Sequence, residues 1–281
     1  MKRENSFIWI FIFIFIFISG MLGITRTGYA ETVKIGGTGF ALGVMKILAA
    51  SFEKQYPEVK IQVFPSLGSS GGIKAVGQGA LDIGLSARTL NGAETSRGAI
   101  AREISRTPFV FFANSSFNKD GLTFQDLERI YGGQLLFWPD GTRIRLILRP
   151  KREIDMNIIR KFSPTMDQAV ALSFGREGMK CAITDQENAS AIEKAVGGVG
   201  AGTLTQILSE NRQVKVLSLN GVKPSVEGLV DGSYPWFKSL YLVTTARTSP
   251  AVQKFEAFIV SEIGGTILHS YGNMILTSHK R

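Results

Sequence analysis

A group of serines, glycines and one arginine early in the chain shares a single chemistry, the grip of an oxyanion. Ser69, Ser70 and Gly71 lie in Ser66-Leu-Gly-Ser-Ser-Gly-Gly-Ile-Lys74, and Ser86 and Arg88 close Leu81-Asp-Ile-Gly-Leu-Ser-Ala-Arg88. Hydroxyls donate to anionic oxygens. Glycine lets backbone N–H groups approach closely, and a guanidinium forks onto two oxygens at once. An earlier turn, Ile35-Gly-Gly-Thr-Gly-Phe40, offers the N–H groups of Gly39 and Phe40 in the same manner. Arg149, at the end of the run Arg143 to Leu148, supplies a second strand-end cation. Each feature also has a plainer reading. The turn can simply enter a helix, a serine can cap one near Gly71, and an arginine is usually a solvated charge.

The elements that position these residues follow from the apolar periods. Strands are expected at Thr32 to Gly36, Val59 to Ser66 and Ile83 to Ser86, and helices at Ala41 to Tyr56 and Gly71 to Gly79. Two strand–turn–helix junctions therefore aim free N–H groups and positive helix ends at one region. Thr107 to Ala113 reads as a buried strand, and the polar Asn114 to Gly121 as a crossing between lobes. A second block follows. It has helices at Leu122 to Tyr131 (Thr123 as N-cap), Glu153 to Phe162, Met166 to Phe174, Asn188 to Val196 and Thr203 to Asn211, with strands at Arg143 to Leu148, Val199 to Gly202 and Val214 to Leu219. The tail reads as strand Leu240 to Thr245, then helices Ala251 to Val260 and Gly265 to Tyr271. Alternation of this kind implies an α/β fold with mainly parallel sheets flanked by helices.

Taken together, the G-x-G-F turn, GSSGG-x-K and LDIG-x-S-x-R in this order resemble the periplasmic phosphate-binding proteins of ABC importers. The likeness is close from Val33 to about Leu90 and looser to the C-terminus. It implies a two-lobed fold, with lobe one at 31–115 plus 233–281 and lobe two at 116–232. It also implies a small oxyanion held by Gly39, Phe40, Ser69, Ser70, Gly71, Ser86, Arg88 and Arg149, and an inner-membrane permease as partner. Two departures stand out. The resemblance places a G-S-G-T turn after the second arginine, where this chain has Arg152-Glu-Ile-Asp155. It also places a carboxylate after the serine of DIG-x-S, as acceptor for a protonated ligand, where this chain has Ala87. Weaker selection of phosphate over sulfate follows, with Arg149 giving most of the second lobe's grip. Glu153 and Asp155 read as helix-starting carboxylates, although Asp155 is an alternative acceptor.

Composition bounds the rest. Lys2 and Arg3, the apolar run Phe7 to Ile24 and Gly28-Tyr-Ala30 form a signal-peptide pattern with cleavage expected after Ala30. A retained anchor is the alternative, since 18 residues is the short edge of a span. No cysteine lies near the cleavage site, so a soluble, unlipidated periplasmic monomer is expected. The chain of 281 residues carries +9; Lys2, Arg3 and Arg26 against Glu4 account for +2, leaving +7 from Glu31 onward. This suits an acidic ligand, while the scattered basic residues disfavour nucleic acid. The single cysteine, Cys181, is expected to be a buried small hydrophobe. With only His269 and His279, neither a triad nor a zinc site is expected. Asp185, Glu187 and Asn188 lack the spacing of a calcium loop. No cofactor is expected. A sensor or adhesion module, or a secreted hydrolase using Ser69 or Ser70, are the other readings, the last opposed by the missing G-x-S-x-G.

Overall fold

Glu31–Gly37 (β1) begins with an alternating face and ends wholly buried, and it runs into a short 3₁₀ turn at Gly39–Ala41 and helix Leu42–Gln55 (α1). The computed structural model of the chain describes residues 31–276; the expected signal segment, its cleavage site and His279 lie outside them. The first block continues with Val59–Val63 (β2), Gly68–Gly77 (α2), Ile83–Ser86 (β3) and Gly92–Ser96 (α3). β1 pairs parallel with β2 on one side and β3 on the other. At Gly37, φ is +143°, and an added Cβ would strike the Leu85 carbonyl, so the close pairing of the end of β1 with β3 needs glycine here.

The long strand Ala99–Asn114 (β4) is the axis of the molecule. It leads through Gly121–Leu122 (β5) and Phe124–Gly132 (α4) to Arg145–Leu148 (β6). Ile154–Arg160 (α5), Pro164–Ser173 (α6), Lys180–Cys181 (β7), Asp185–Lys194 (α7) and Gly198–Thr203 (β8) follow. Leu204–Ser209 (α8), Val214–Val216 (β9), Ser218–Leu219 (β10) and Val226–Asp231 (α9) complete this block. The chain closes with Phe237–Thr245 (β11), Pro250–Ile259 (α10), Glu262–Ser270 (α11) and Met274–Ile275 (β12). The main sheet runs β2-β1-β3-β11-β4-β8-β6-β7, with β9 and β12 also on β4. Each half keeps a parallel trio, β2-β1-β3 and β8-β6-β7, while the shared strands β4 and β11 supply antiparallel pairs.

β4 changes partner along its length. Ala99 to Pro108 pair with β11, and Phe109 to Ala113 pair with β8. The change of partner thus falls between Pro108 and Phe109, inside a strand. Tyr234, fully buried, fixes this point by donating its hydroxyl to the Phe109 carbonyl at 2.7 Å. Its ring meets Trp236 edge-on at 5.1 Å.

Separate cores fill the two halves. Ile35, Phe40, Leu48, Phe52 and Ile83 pack with Leu240, Phe255 and Ile259 from the tail. Phe109, Phe111, Leu127, Tyr131, Leu148 and Ile159 form the other large core. A smaller cluster of Val110, Phe112, Ile147 and Ile192 lies under α7. There β8 reads Gly-Val-Gly-Ala-Gly-Thr, and its glycines are a packing device. A Cβ at Gly198 would come within 2.7 Å of the Ala195 carbonyl and 2.8 Å of the Ile192 carbonyl, so bare backbone there lets the end of α7 lie this close. Asn188 ties the helix down by donating to the Ala201 carbonyl at 2.8 Å.

Two sequence expectations change. α2 begins at Gly68, so Ser69, Ser70 and Gly71 lie within its first turn, and the residue before it is Leu67. Cys181 is exposed, because β7 is a two-residue edge strand with both residues exposed.

Candidate functional site

The residues expected to hold an anion fall into two groups. The first lies at the C-terminal edge of β3 and the start of α2. Ser69 accepts a hydrogen bond from the Ala87 N–H at 2.9 Å, and Ser70 accepts one from Arg88 Nη2 at 2.9 Å. Ser86, wholly buried, donates to the Arg88 carbonyl at 2.7 Å and accepts from the Arg88 N–H at 3.1 Å. Gly71 sits beside these serines, half-buried. Arg88 forks onto Glu94 at 2.7 and 2.8 Å. The guanidinium, helped by the Asn91 N–H, outweighs burial and pushes the Glu94 carboxyl down to about 2. A capping box with Asn91 holds Glu94 at the start of α3. Serines and arginine are thus together, but within the protein the arginine already has an anionic partner.

The second group is buried between the halves of the molecule. Arg149, 3% exposed, donates to the Ala182 carbonyl at 2.9 Å. Its Nε lies 3.5 Å from Asp155 Oδ2, and its Nη2 lies 3.6 Å from Asp185 Oδ1. Lys238, also 3% exposed, donates to Asp155 Oδ1 at 2.5 Å and lies 3.7 Å from Asp185 Oδ1. Its ammonium stands 4.8 Å from the centre of the Phe40 ring, within cation–π range. Burial opposes the charge on Lys238, but the Asp155 and Asp185 carboxylates outweigh it and hold the ammonium above its ordinary value. Two cations and two carboxylates give a formal sum of zero. Arg149 Nε and Asp155 Oδ2 lack hydrogen-bond partners although buried, so Coulomb attraction alone links them.

Gly39 joins this group from the turn after β1. Gln186 donates to its carbonyl at 2.9 Å and to Glu210 at 2.6 Å. A Cβ on Gly39 would fall 2.5 Å from Asp185 Oδ2 and 2.8 Å from Gln186 Oε1. Phe40 is fully buried beneath. Alongside runs an open groove of about 780 Å³, with Leu42, Gly43, Lys46 and Ser66 on one wall and Thr184, Gln186 and Ser209 on the other.

Lys238 was not singled out by sequence reasoning, and Asp185 was weighed only as a calcium ligand. The signal for Lys238 was its parity: Lys238, Leu240 and Leu242 occupy the same buried face of β11. A lysine in register with two leucines announces a buried charge needing a partner. Asp155 is more than a helix-starting carboxylate, since it is fully buried between Lys238 and Arg149. Glu153, at the N-cap of α5, makes no side-chain capping bond.

A sheet whose two parallel trios are joined by the shared strands β4 and β11 defines a two-part α/β architecture. The chain belongs to the PBP superfamily: the family model described as a PBP superfamily domain matches residues 25–262. It is 22% identical over 249 residues to the phosphate-binding protein PstS of Bacillus subtilis (strain 168), covering 83% of this chain and 78% of that protein. Among solved structures, it is similar to a substrate-binding protein with bound phosphate from Clostridium perfringens, assigned to a phosphate ABC transporter. The TM-score is 0.73 at 20% identity, covering 88% of this chain and all of the other. An ABC-type phosphate transport receptor from Vibrio cholerae matches with TM-score 0.59 at 19% identity, again over 88% of this chain and all of the other. These likenesses establish the fold.

Proposed function

We propose that this protein captures phosphate or a related small oxyanion in the periplasm and delivers it to the permease of an ABC importer, acting as a binding protein rather than an enzyme. The observation that carries the reading is the convergence of the Gly39–Phe40 turn and the α2 N-terminus at the end of the parallel trio β2-β1-β3, in a chain of this superfamily. Open α/β sheets take ligands at that edge, and the two helix starts favour an anion there. The names of the relatives above support phosphate as the class of ligand.

The lobes of the cleft are proposed as 31–115 with 233–281, and 116–232, hinged on β4 and β11. The proposed ligand residues are Gly39, Phe40, Ser69, Ser70, Gly71, Ser86, Arg88 and, from the second lobe, Arg149. With Ala87 in place of an acceptor and Asp155 engaged by Lys238, discrimination between phosphate and sulfate is expected to be weak. Calorimetric titration at neutral pH with phosphate, sulfate and a carboxylate tests the reading. One phosphate per chain is expected, with sulfate competing. Arg88→Ala is expected to weaken phosphate by about 1.5–3 kcal/mol. No heat with any oxyanion would sink the proposal. Exclusion of sulfate by several orders of magnitude would show that another acceptor operates.

A further inference from the structure

Gly39 stands in the turn whose N–H groups are proposed to meet the ligand, and its own carbonyl is gripped from outside that turn. The carbonyl accepts from the Leu42 N–H, which closes the 3₁₀ turn, and from Gln186 Nε2 at 2.9 Å. Gln186 lies in the first turn of α7, 147 residues away in sequence. The same Nε2 donates to Glu210 Oε1 at 2.6 Å. Glu210 is held in its turn. Arg212 donates to its Oε2 from Nε at 2.8 Å and reaches it from Nη2 at 2.7 Å, and Gln206 Nε2 donates to the same oxygen at 3.3 Å. A carboxylate only accepts, so Glu210 fixes the Gln186 amide with its NH2 toward both oxygens. Glycine at 39 leaves the room this needs, since a Cβ there would fall 2.8 Å from Gln186 Oε1 and 3.0 Å from Ser66 Oγ.

The Gly39 carbonyl and the Phe40 N–H belong to one planar trans peptide, so they point in opposite directions. A bond that fixes the carbonyl therefore fixes the N–H. At a helix start that N–H has no acceptor within the helix. A donor on the carbonyl also polarises the peptide and strengthens its N–H as a donor. We infer that Gln186 is a positioning residue of the anion site: by holding the Gly39 carbonyl, with Glu210 and Arg212 behind it, it aims the Phe40 N–H at the ligand. The inference rests on the oxyanion reading proposed above. Gln186 touches no ligand oxygen in this arrangement and acts through the peptide alone.

The test is titration of wild type, Gln186→Leu and Gln186→Lys with inorganic phosphate, followed by calorimetry and by the Phe40 amide resonance. Leucine keeps the bulk and removes the donor, and phosphate binding is expected to weaken roughly tenfold, the scale of one net hydrogen bond. Lysine restores a donor that can meet both the Gly39 carbonyl and Glu210, and is expected to return binding to within about twofold of wild type. At saturating phosphate the Phe40 amide proton is expected to move downfield in wild type and by clearly less in Gln186→Leu, a response that a merely structural contact would not alter. One measurement needs no variant: the Gln186 side-chain amide protons are expected to stay protected from exchange in phosphate-saturated wild type. Unchanged affinity in Gln186→Leu, an equal loss in Gln186→Lys, a Phe40 amide that responds alike in wild type and Gln186→Leu, or a Gln186 amide released on binding overturns the inference. Each of these leaves the oxyanion reading standing, because wild type still binds phosphate. Failure of wild type to bind any oxyanion overturns that reading and the inference with it.

Discussion

The Arg88–Glu94 pair and the Arg149–Asp155–Lys238–Asp185 quartet place the same chemical groups in opposite surroundings. The pair comes from one short stretch of chain and lies at a sheet edge, with side chains 29% and 16% exposed. The quartet comes from three separate segments, Arg149 with Asp155, Asp185 and Lys238, and its side chains are at most 6% exposed. Water can solvate either member of the pair if the other is lost. In the quartet, loss of one member strands its partners where water cannot reach. The first arrangement lets its members exchange partners, and the second ties each member to the others.

The sharpest way to break this contrast is to remove one buried cation. Lys238→Met leaves two carboxylates against one guanidinium and is expected to cost about 3–5 kcal/mol of folding stability, read from urea denaturation. A loss below about 1 kcal/mol would mean that water reaches the quartet. Gly39→Ala comes next. Its methyl would meet Asp185 and Gln186, and overpacking of this kind costs about 1–3 kcal/mol. The same measurement checks it, and an unchanged midpoint would mean that α7 does not press on this turn.

Arg88→Ala is expected to change stability by less than about 1 kcal/mol, because its partner can turn to water. A loss comparable to that of Lys238→Met would erase the distinction between the two regions. The smallest effect is in acid. Glu94 titrates near 2 in the folded protein against an ordinary value of 4.5. A depressed folded value means that the pair's stabilisation is present above about 4.5 and is lost as pH falls through 2. Carboxyl NMR titration should find that low value in the wild type and a return toward 4.5 in Arg88→Ala.

How much of this could be read from the sequence follows the same division. Strands β1 to β3 and helices α1 and α2 announce themselves within a few residues, because their periods are local and their turns are glycine-rich, whereas the five-residue α3 went uncalled. Thr123 as the cap of α4 was legible too, since a capping box is a matter of three residues. The first half of β4 and the start of β11 were missed. Ala-Ile-Ala-Arg-Glu-Ile-Ser-Arg mixes charge with apolar residues, and only its pairing with β11 makes it a strand. Val214 to Leu219 looks like one alternating strand but divides between two sheets at Leu217. Lys238 lies in a missed segment, and its carboxylate partners are 83 and 53 residues away in sequence. No local pattern links such positions. Legibility stops where a group's environment is supplied by another part of the chain.

The most direct measurement is a crystal structure of the protein grown in phosphate. The account predicts the ion at the Gly39–Phe40 turn within hydrogen-bond distance of backbone N–H groups, facing the start of α2. A phosphate found only elsewhere on the surface would contradict it.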